Sequence, residues 1–151
     1  MKKITVHLDY YGFLRFSKLQ NIRHCDIEFE PEYLTIKLYK SKADQHGQTA
    51  TVAIAGQHNE LCPYRIDRLY LQALGRPYTS AQPIFTRLRY SNGTVEDSVI
   101  SYNTANDVKN YALHSLRSGG ATCAGHTGAQ VSDMKRHGRW KTNYSMEKYV
   151  N

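Results

Sequence analysis

The most informative stretch of this chain is His114-Ser-Leu-Arg117-Ser-Gly-Gly-Ala-Thr, followed by Gly138-Arg-Trp140 and then by Tyr149. It brings an imidazole, several guanidiniums, an indole and a phenol into one short segment. His114 and Arg117 stand three positions apart, so on a helix both side chains share a face and can approach one phosphate group. The stretch therefore predicts a helix that presents groups suited to holding a phosphodiester and attacking it.

The distance between Trp140 and Tyr149 predicts a break between two helices. On one continuous α-helix, nine residues at about 100° each would place the two side chains on opposite faces. Gly138 is a residue type that ends helices, and Thr142 or Asn143 can cap the next one. We expect helices over three segments of this half: His114 to Gly125, Val131 to His137, and about Asn143 to Tyr149.

The preceding half is expected to contain a small antiparallel sheet. Three strands are predicted from residue alternation and turn signals: Arg23 to Phe29, Tyr33 to Lys40, and Gln48 to Ala55. A helix over Pro63 to Leu74 should end at the stop signals Gly75 and Pro77. Further helices are expected from about Tyr10 onward and over Thr104 to Tyr111, with a turn at Ser91-Asn92-Gly93. The prediction is an α+β fold, mostly helical, with a three-stranded antiparallel sheet.

Length and charge suggest a single domain with an affinity for polyanions. The chain has 151 residues and a formal net charge of +7, and residues 111–151 hold six Lys and Arg against two Asp and Glu. This length suits one hydrophobic core. A basic stripe suits a nucleic-acid backbone because each neutralised phosphate releases counterions, although charge alone favours a solvated basic face. The stripe consists of Arg117, Lys135, Arg136, Arg139, Lys141 and Lys148.

Cysteine number and spacing give no reason to expect a metal or a cofactor. Cys25, Cys62 and Cys123 are odd in number and lack Cys-x-x-Cys spacing, so we expect free thiols in a reducing compartment. Cys123 and His126 have ligand spacing, but no second such pair stands beside them. The sequence has no apolar run of the length that a signal peptide or a membrane span requires. We expect an intracellular protein, nuclear in a eukaryotic host and cytoplasmic in a prokaryotic one.

Taken together, these residues resemble the catalytic domain of the tyrosine recombinase, or phage integrase, family. The segment from His114 to Tyr149 is similar to the C-terminal half of that domain. Its amino-acid sequence is most similar to the recombinases of DIRS and Crypton mobile elements. Trp140 fills a position that is usually His and sometimes Trp in the family. Upstream, Gly12 to Leu19 resembles the first arginine motif and supplies Arg15. Lys42, on the turn between the second and third strands, matches the family's lysine.

The resemblance implies metal-free cleavage and rejoining of DNA through a 3′-phosphotyrosine intermediate. The Tyr149 hydroxyl would attack a phosphate, and the freed 5′-hydroxyl could later attack another strand. Arg15 and Arg117 would hold the non-bridging oxygens, because a planar guanidinium forms paired charge-assisted hydrogen bonds. Lys42, with Lys40 as a nearby alternative, would protonate the leaving oxygen. His114 would assist proton removal from the phenol or donate a hydrogen bond to the phosphate, and Trp140 would donate its indole N–H to the phosphate.

A departure from the family pattern leaves a second interpretation open. The resemblance makes double-stranded DNA the expected partner, with self-association on that DNA as a further expectation. Residues 1–151 correspond to a shortened catalytic domain without the family's N-terminal core-binding domain, so a non-catalytic DNA-binding remnant is the alternative function. A type IB topoisomerase shares the chemistry, whereas the residues of the motif favour a recombinase.

Three cations near the tyrosine are expected to contact DNA: Arg136, Arg139 and Lys141.

Overall fold

The structure is a computed structural model that describes residues 2–39, 49–88, 95–99 and 113–150. The chain divides into two compact units, one formed by residues 1–19 and 101–151 and the other by residues 20–100. The helix expected over Thr104 to Tyr111 and the turn expected at Ser91-Asn92-Gly93 lie outside the described residues. Every helix among the described residues is too short or too polar to span a bilayer.

In chain order the described helices and strands are α1 (Lys2–Gly12), α2 (Phe16–Leu19), a 3₁₀ turn (His24–Asp26), β1 (Ile27–Phe29), β2 (Tyr33–Leu38), β3 (Ala50–Ala55), α3 (Pro63–Ala73), β4 (Thr86–Leu88), β5 (Val95–Val99), α4 (Leu113–His126), α5 (Val131–Gly138) and α6 (Asn143–Glu147).

In the first unit, α1 lies against α4 because two glycines let the helices approach. Gly119 faces the Tyr10 ring, and a Cβ placed on Gly120 would overlap the Tyr10 carbonyl oxygen. A side chain at Gly120 would therefore push the helices apart. The core below this crossing contains five buried side chains, with Tyr149 and Val150 packed against it. Its members are Phe13, Ala121, Met134, Trp140 and Met146.

The two C-terminal helices are separated where the sequence predicts a break. α5 ends at Gly138, and Arg139 follows in the left-handed conformation with φ 56°. The next helix begins after Thr142, whose hydroxyl accepts a hydrogen bond from the backbone N–H of Ser145 at 3.1 Å. A hydroxyl at this position satisfies one of the N–H groups that lack an intrahelical partner. The expected break and cap are both confirmed.

In the second unit, β1, β2 and β3 form an antiparallel sheet in that order. Leu34 lies opposite Ile54 and Ile36 opposite Val52, and all four side chains are buried. The period of two places alternate residues on one face, so this pairing puts the apolar face of both strands into the core. α3 begins with Pro63 at its first position and is followed by Gly75 at φ 62°.

The α+β class with a three-stranded antiparallel sheet is confirmed, two local predictions need correction, and one strand pair was missed. The helix expected from about Tyr10 onward is wrong, because α1 spans Lys2–Gly12 and Phe13 then adopts φ 47°. The strand expected from Arg23 begins at Ile27, after the 3₁₀ turn in which Asp26 accepts the Arg23 N–H. The β4–β5 pair was not predicted, because Thr86–Leu88 is too short to show a periodic pattern.

Candidate functional site

Arg117 lies inside the first unit, although arginine is rarely buried unless it has partners. Its side chain is 2% exposed. Nη2 donates to the carbonyl oxygen of Gly138 at 2.7 Å, and Nη1 donates to the carbonyl oxygen of Phe13. These bonds join α4, which carries Arg117, to the ends of α1 and α5. The orientation of the guanidinium is therefore set by two backbone acceptors.

Two aromatic rings lie against the Arg117 guanidinium. Its Cζ atom is 4.6 Å from the centroid of the Trp140 ring and 5.2 Å from that of the Tyr149 ring. The rings of Trp140 and Tyr149 are themselves 5.5 Å apart between centroids and tilted by 43°. A guanidinium at these distances from ring faces is attracted by their quadrupoles. The structure thus brings together Arg117, Trp140 and Tyr149, which the sequence separates.

The cluster contains two buried donors without hydrogen-bond partners among the described residues. They are Nε of Arg117 and Nε1 of the Trp140 indole. Both groups can only donate, since neither carries an acceptor in its usual protonation state. A buried donor without an acceptor costs free energy that a bound acceptor would recover. These donors are suited to bind a ligand that has acceptor oxygens.

Polar side chains of the C-terminal segment bind the carbonyl groups at the end of α1. Nε2 of His137 lies 2.8 Å from the Tyr11 oxygen, and Arg139 donates to the oxygens of Gly12 and Phe13 at 3.3 and 2.9 Å. The last carbonyls of a helix lack intrahelical partners and carry the negative end of its dipole. Cationic donors are therefore stabilised at this helix end.

Burial and nearby positive charges lower the pKa values of the Arg117 and Arg139 guanidiniums. Burial is the main cause that brings the pKa of Arg117 to about 10, and the nearby charge of Arg15 adds to it. The pKa of Arg139 also falls to about 10, through burial and then the charges of Arg117 and Arg15. Both remain charged at neutral pH. Burial also lowers the pKa of His137 despite its bond to Tyr11, which favours the neutral imidazole.

Arg15 is exposed. It follows Phe13 by two residues, and its carbonyl oxygen accepts the N–H groups of Lys18 and Leu19, the last two residues of α2. Its charge acts on both Arg117 and Arg139. Three guanidiniums therefore produce a local positive field, with Arg15 accessible to solvent.

Two other predicted catalytic residues are described in part or not at all. His114 belongs to α4, one turn before Arg117. The structure describes only the backbone of this residue. Lys42, like its neighbour Lys40, lies outside the described residues. Their roles stay predictions.

Tyr149 is held through its backbone beyond the end of α6. Its carbonyl oxygen accepts from the hydroxyls of Ser118 and Thr122 at 2.9 and 3.2 Å, and its N–H donates to Met146 at 2.8 Å. These bonds tie the tyrosine to α4 and explain two polar residues of the motif. Tyr144, in contrast, is 68% exposed and lies under the Lys148 ammonium at 4.4 Å. Of these two tyrosines, Tyr149 is the one whose ring lies beside Arg117.

The three cations expected to contact DNA have different surroundings. Arg136 is exposed and pairs with Asp133 at 2.9 Å, and Lys141 is exposed as well. Arg139 is half-buried, and both of its terminal nitrogens donate to backbone oxygens. Within the part of the chain that the structure describes, no three His, Cys, Asp or Glu side chains are grouped as metal ligands.

Sequence reasoning missed the contribution of Phe13 and the reason for Gly138. The Phe13 carbonyl is a shared acceptor for Arg117 and Arg139. A Cβ on Gly138 would overlap the six-membered ring of Trp140, so only glycine leaves room for the indole. The Gly-Arg-Trp motif gave an indication of the second feature, the requirement for glycine at position 138. Nothing in the local sequence marks the Phe13 carbonyl.

Known proteins similar to this chain include the following recombinases. No family model matches the chain. It is 28% identical over 159 residues to an integrase/recombinase XerD homolog from Selenomonas ruminantium, a match that covers 98% of this chain and 46% of that protein. Two solved structures of the XerH site-specific recombinase are also similar. The pre-cleavage complex bound to difH substrate has a TM-score of 0.63 at 12% identity, with 98% of this chain and 42% of that chain covered. The post-cleavage complex bound to palindromic difH substrate has a TM-score of 0.64 at 13% identity, with 98% and 41% covered.

The chain therefore spans less than half the length of the relatives it matches. The likeness to the solved structures defines the fold. The predicted resemblance to a tyrosine recombinase catalytic domain is confirmed, together with the α+β class. The narrower similarity to DIRS and Crypton elements stays a prediction.

Proposed function

We propose that this chain, which has the fold of a tyrosine recombinase catalytic domain, takes part in DNA recombination by cleaving and rejoining strands through a 3′-phosphotyrosine. Residues 1–151 act as one catalytic domain in this proposal. The observation that carries it is the Arg117 guanidinium, which is buried between backbone acceptors and lies against both Trp140 and Tyr149. A cation fixed beside a phenol is what an attack of that phenol on a phosphate requires.

The electrostatics of the cluster favour an anionic ligand. The charge of Arg15 disfavours the charged forms of Arg117 and Arg139, and the charge of Arg117 also disfavours that of Arg139; a bound anion would offset this repulsion. Nε of Arg117 and the Trp140 indole N–H are donors without partners among the described residues. A phosphodiester supplies both a negative charge and acceptor oxygens. One bound phosphate group would therefore offset the repulsion and accept hydrogen bonds from these donors.

The proposed reaction forms one bond to phosphorus and breaks another. The Tyr149 oxygen attacks the phosphorus while His114 assists removal of its proton, and the bond between phosphorus and the 5′-oxygen breaks. Lys42 gives a proton to the departing 5′-oxygen, which leaves as a hydroxyl. Arg15 and Arg117 stabilise the charge that develops on the non-bridging oxygens. Attack by a 5′-hydroxyl on the phosphotyrosine reverses these steps and rejoins the strand.

DNA is the proposed partner, and self-association on DNA belongs to the same proposal. Arg136 and Lys141, both exposed, would contact the backbone beside the reacting phosphate. A protein that acts on cellular DNA would lie in the nucleus of a eukaryotic host or the cytoplasm of a prokaryotic one.

A second function, DNA binding without cleavage, is favoured by a specific observation. The terminal nitrogens of Arg117 and Arg139 all donate to backbone carbonyls, so a role in holding the fold alone would explain their burial. In that case the chain is a recombinase remnant that retains a basic surface. The two functions differ in whether a covalent bond to DNA forms.

The test uses nicked duplexes whose sequence is randomised around the nick. Cleavage next to the nick releases a short 5′-hydroxyl fragment that diffuses away, which traps the protein on the DNA. We expect a covalent adduct for the wild-type chain and for Tyr144→Phe, and none for Tyr149→Phe. Peptide mapping should locate the phosphate on Tyr149. DNA binding without any adduct would favour the remnant, and an adduct on Tyr144 would refute the assignment of the nucleophile.

A further inference from the structure

Arg139 has a backbone conformation in which glycine would be under less strain. Its dihedral angles are φ 56° and ψ 39°, directly after the end of α5. This left-handed region is unfavourable for residues with a Cβ, and helices often place glycine there. The guanidinium must therefore contribute something that offsets the strain.

The Arg139 side chain bridges two segments that are distant in sequence. Nη1 donates to the His137 oxygen at 2.9 Å, and Nη2 donates to the oxygens of Gly12 and Phe13. The planar guanidinium thus joins the end of α5 to the end of α1. A left-handed residue at position 139 turns the side chain back along its own helix end, which makes the bridge geometrically possible.

The Phe13 carbonyl connects Arg139 to Arg117. It accepts one bond from Nη2 of Arg139 at 2.9 Å and another from Nη1 of Arg117. A carbonyl oxygen has two lone pairs, so it can serve both guanidiniums. Phe13 itself has φ 47°, an unfavourable conformation that needs external support. Holding this carbonyl in place therefore holds the acceptor that orients Arg117.

We propose that Arg139 is a positioning residue for Arg117, acting through the Phe13 carbonyl that both side chains bind. Its catalytic consequence rests on the proposed function, whereas the structural coupling does not. The sequence-based expectation gives Arg139 a direct contact with DNA phosphate. In the structure its terminal nitrogens face backbone oxygens instead.

Arg139→Gly is the informative variant because glycine keeps the left-handed backbone while the guanidinium is removed. Arg68→Ala serves as the matched control, since Arg68 is an exposed arginine of the other unit. The first measurement is NMR of ¹⁵N-labelled arginine side chains, with the Arg117 signals assigned by Arg117→Lys. In the wild type, fixed hydrogen bonds should keep the two Nη signals of Arg117 separate. We expect them to merge in Arg139→Gly and to stay separate in Arg68→Ala.

This measurement decides the coupling without any cleavage activity. Unchanged Arg117 signals in Arg139→Gly would overturn the proposal. If Arg139→Gly does not fold, Arg139→Lys replaces it, because an ammonium retains the charge but lacks the branched donors that bridge His137 and Phe13. A wild-type chain that forms no covalent adduct would reject the proposed function, and the NMR result would still decide the role of Arg139.

The second measurement separates positioning from phosphate binding and from a purely structural role. At saturating nicked DNA, the single-turnover cleavage rate of folded Arg139→Gly should fall by about tenfold to a hundredfold, because the guanidinium of Arg117 is misplaced. Its Kd for DNA should stay within about threefold of wild type. Added methylguanidinium should restore part of the rate.

Two results of the second measurement would contradict the proposal. A weaker Kd, with a salt dependence reduced by about one phosphate contact and an unchanged rate, would make Arg139 a DNA ligand. A lower melting temperature with a wild-type cleavage rate per folded molecule would leave Arg139 a merely structural role.

Discussion

Gly138 and Trp140 are in such close contact that no side chain fits at position 138. A Cβ added to Gly138 would overlap the six-membered ring of the indole. The carbonyl oxygen of the same glycine accepts the Nη2 bond of Arg117 at 2.7 Å. Gly138 therefore fixes both the ring and the guanidinium of the cluster, one through the space it leaves and the other through its backbone.

Gly138→Ala should displace the indole and destabilise the first unit. Overpacking of this kind costs about 1–3 kcal/mol in the free energy of unfolding, which urea denaturation measures. Trp140 is the single tryptophan of the chain, so its fluorescence should shift as its surroundings change. Gly119→Ala is the control, because a Cβ there would meet the Tyr10 ring at an ordinary 3.5 Å. Equal stability of the two variants would contradict the packing argument.

Arg117 variants should lose cleavage far more than DNA binding. Arg117→Lys keeps a cation but cannot reach two backbone acceptors with one planar group, so we expect the cleavage rate to fall by at least about a hundredfold. Arg117→Ala should in addition lower the free energy of unfolding by about 1–3 kcal/mol, because the carbonyls of Phe13 and Gly138 lose a buried partner. Single-turnover cleavage and circular dichroism measure the two effects. Wild-type cleavage by Arg117→Lys would show that the charge alone suffices.

DNA binding should depend strongly on salt concentration. With several phosphate contacts, the association constant should fall by about tenfold or more between about 50 and 200 mM salt. Lys141→Ala should reduce the slope of log K against log salt by about one contact, because the Lys141 ammonium is exposed. Fluorescence anisotropy with labelled duplex DNA measures both slopes. Affinity that does not change over this range would argue against a phosphate-based interface.

The buried carboxyl of Asp67 should make the stability of the chain depend on pH. Asp67 is 1% exposed, and its oxygens have no hydrogen-bond partner among the described residues. Burial raises its pKa to about 8. The folded state therefore binds a proton that the unfolded state has released once the pH exceeds about 4. The contribution of the protonated Asp67 carboxyl to the free energy of unfolding is fully present below about pH 4 and is lost as the pH rises toward 8.

Asp67→Asn removes this titration, so the difference in melting temperature between variant and wild type should grow in favour of the variant from pH 5 to pH 8. Glu147→Gln is a suitable control because Glu147 is exposed. A constant difference between Asp67→Asn and wild type across that range would mean that Asp67 has a partner that keeps it charged.

Local patterns in the sequence were sufficient for most of the secondary structure. The alternation from Tyr33 onward predicted a strand, and the residue types at Gly138 and Thr142 predicted the break before α6. Both signals act over a few residues, because strand alternation and helix capping depend on near neighbours. α1 was misplaced, because its sequence combines β-branched residues at the start with a glycine at the end, and propensity alone is a weak guide.

The sequence predicts the residues of the candidate site but not their surroundings. The spacing after Trp140 singled out Tyr149, and the structure brings that ring to 5.2 Å from Arg117. For Arg139, a basic residue beside the motif, the sequence predicts a contact with DNA. It does not show that the guanidinium donates to the carbonyl oxygens of Gly12 and Phe13 at the end of α1.

The chemical groups of this protein, their order along the chain and most of the helices and strands that carry them follow from the sequence. Which carbonyls bind the arginines is settled only in the folded protein. The Phe13 carbonyl lies 104 residues from Arg117 and 126 from Arg139. Backbone acceptors are chemically the same at every residue, so no sequence pattern can mark them. They acquire a specific role only when the fold brings a buried guanidinium within hydrogen-bonding distance.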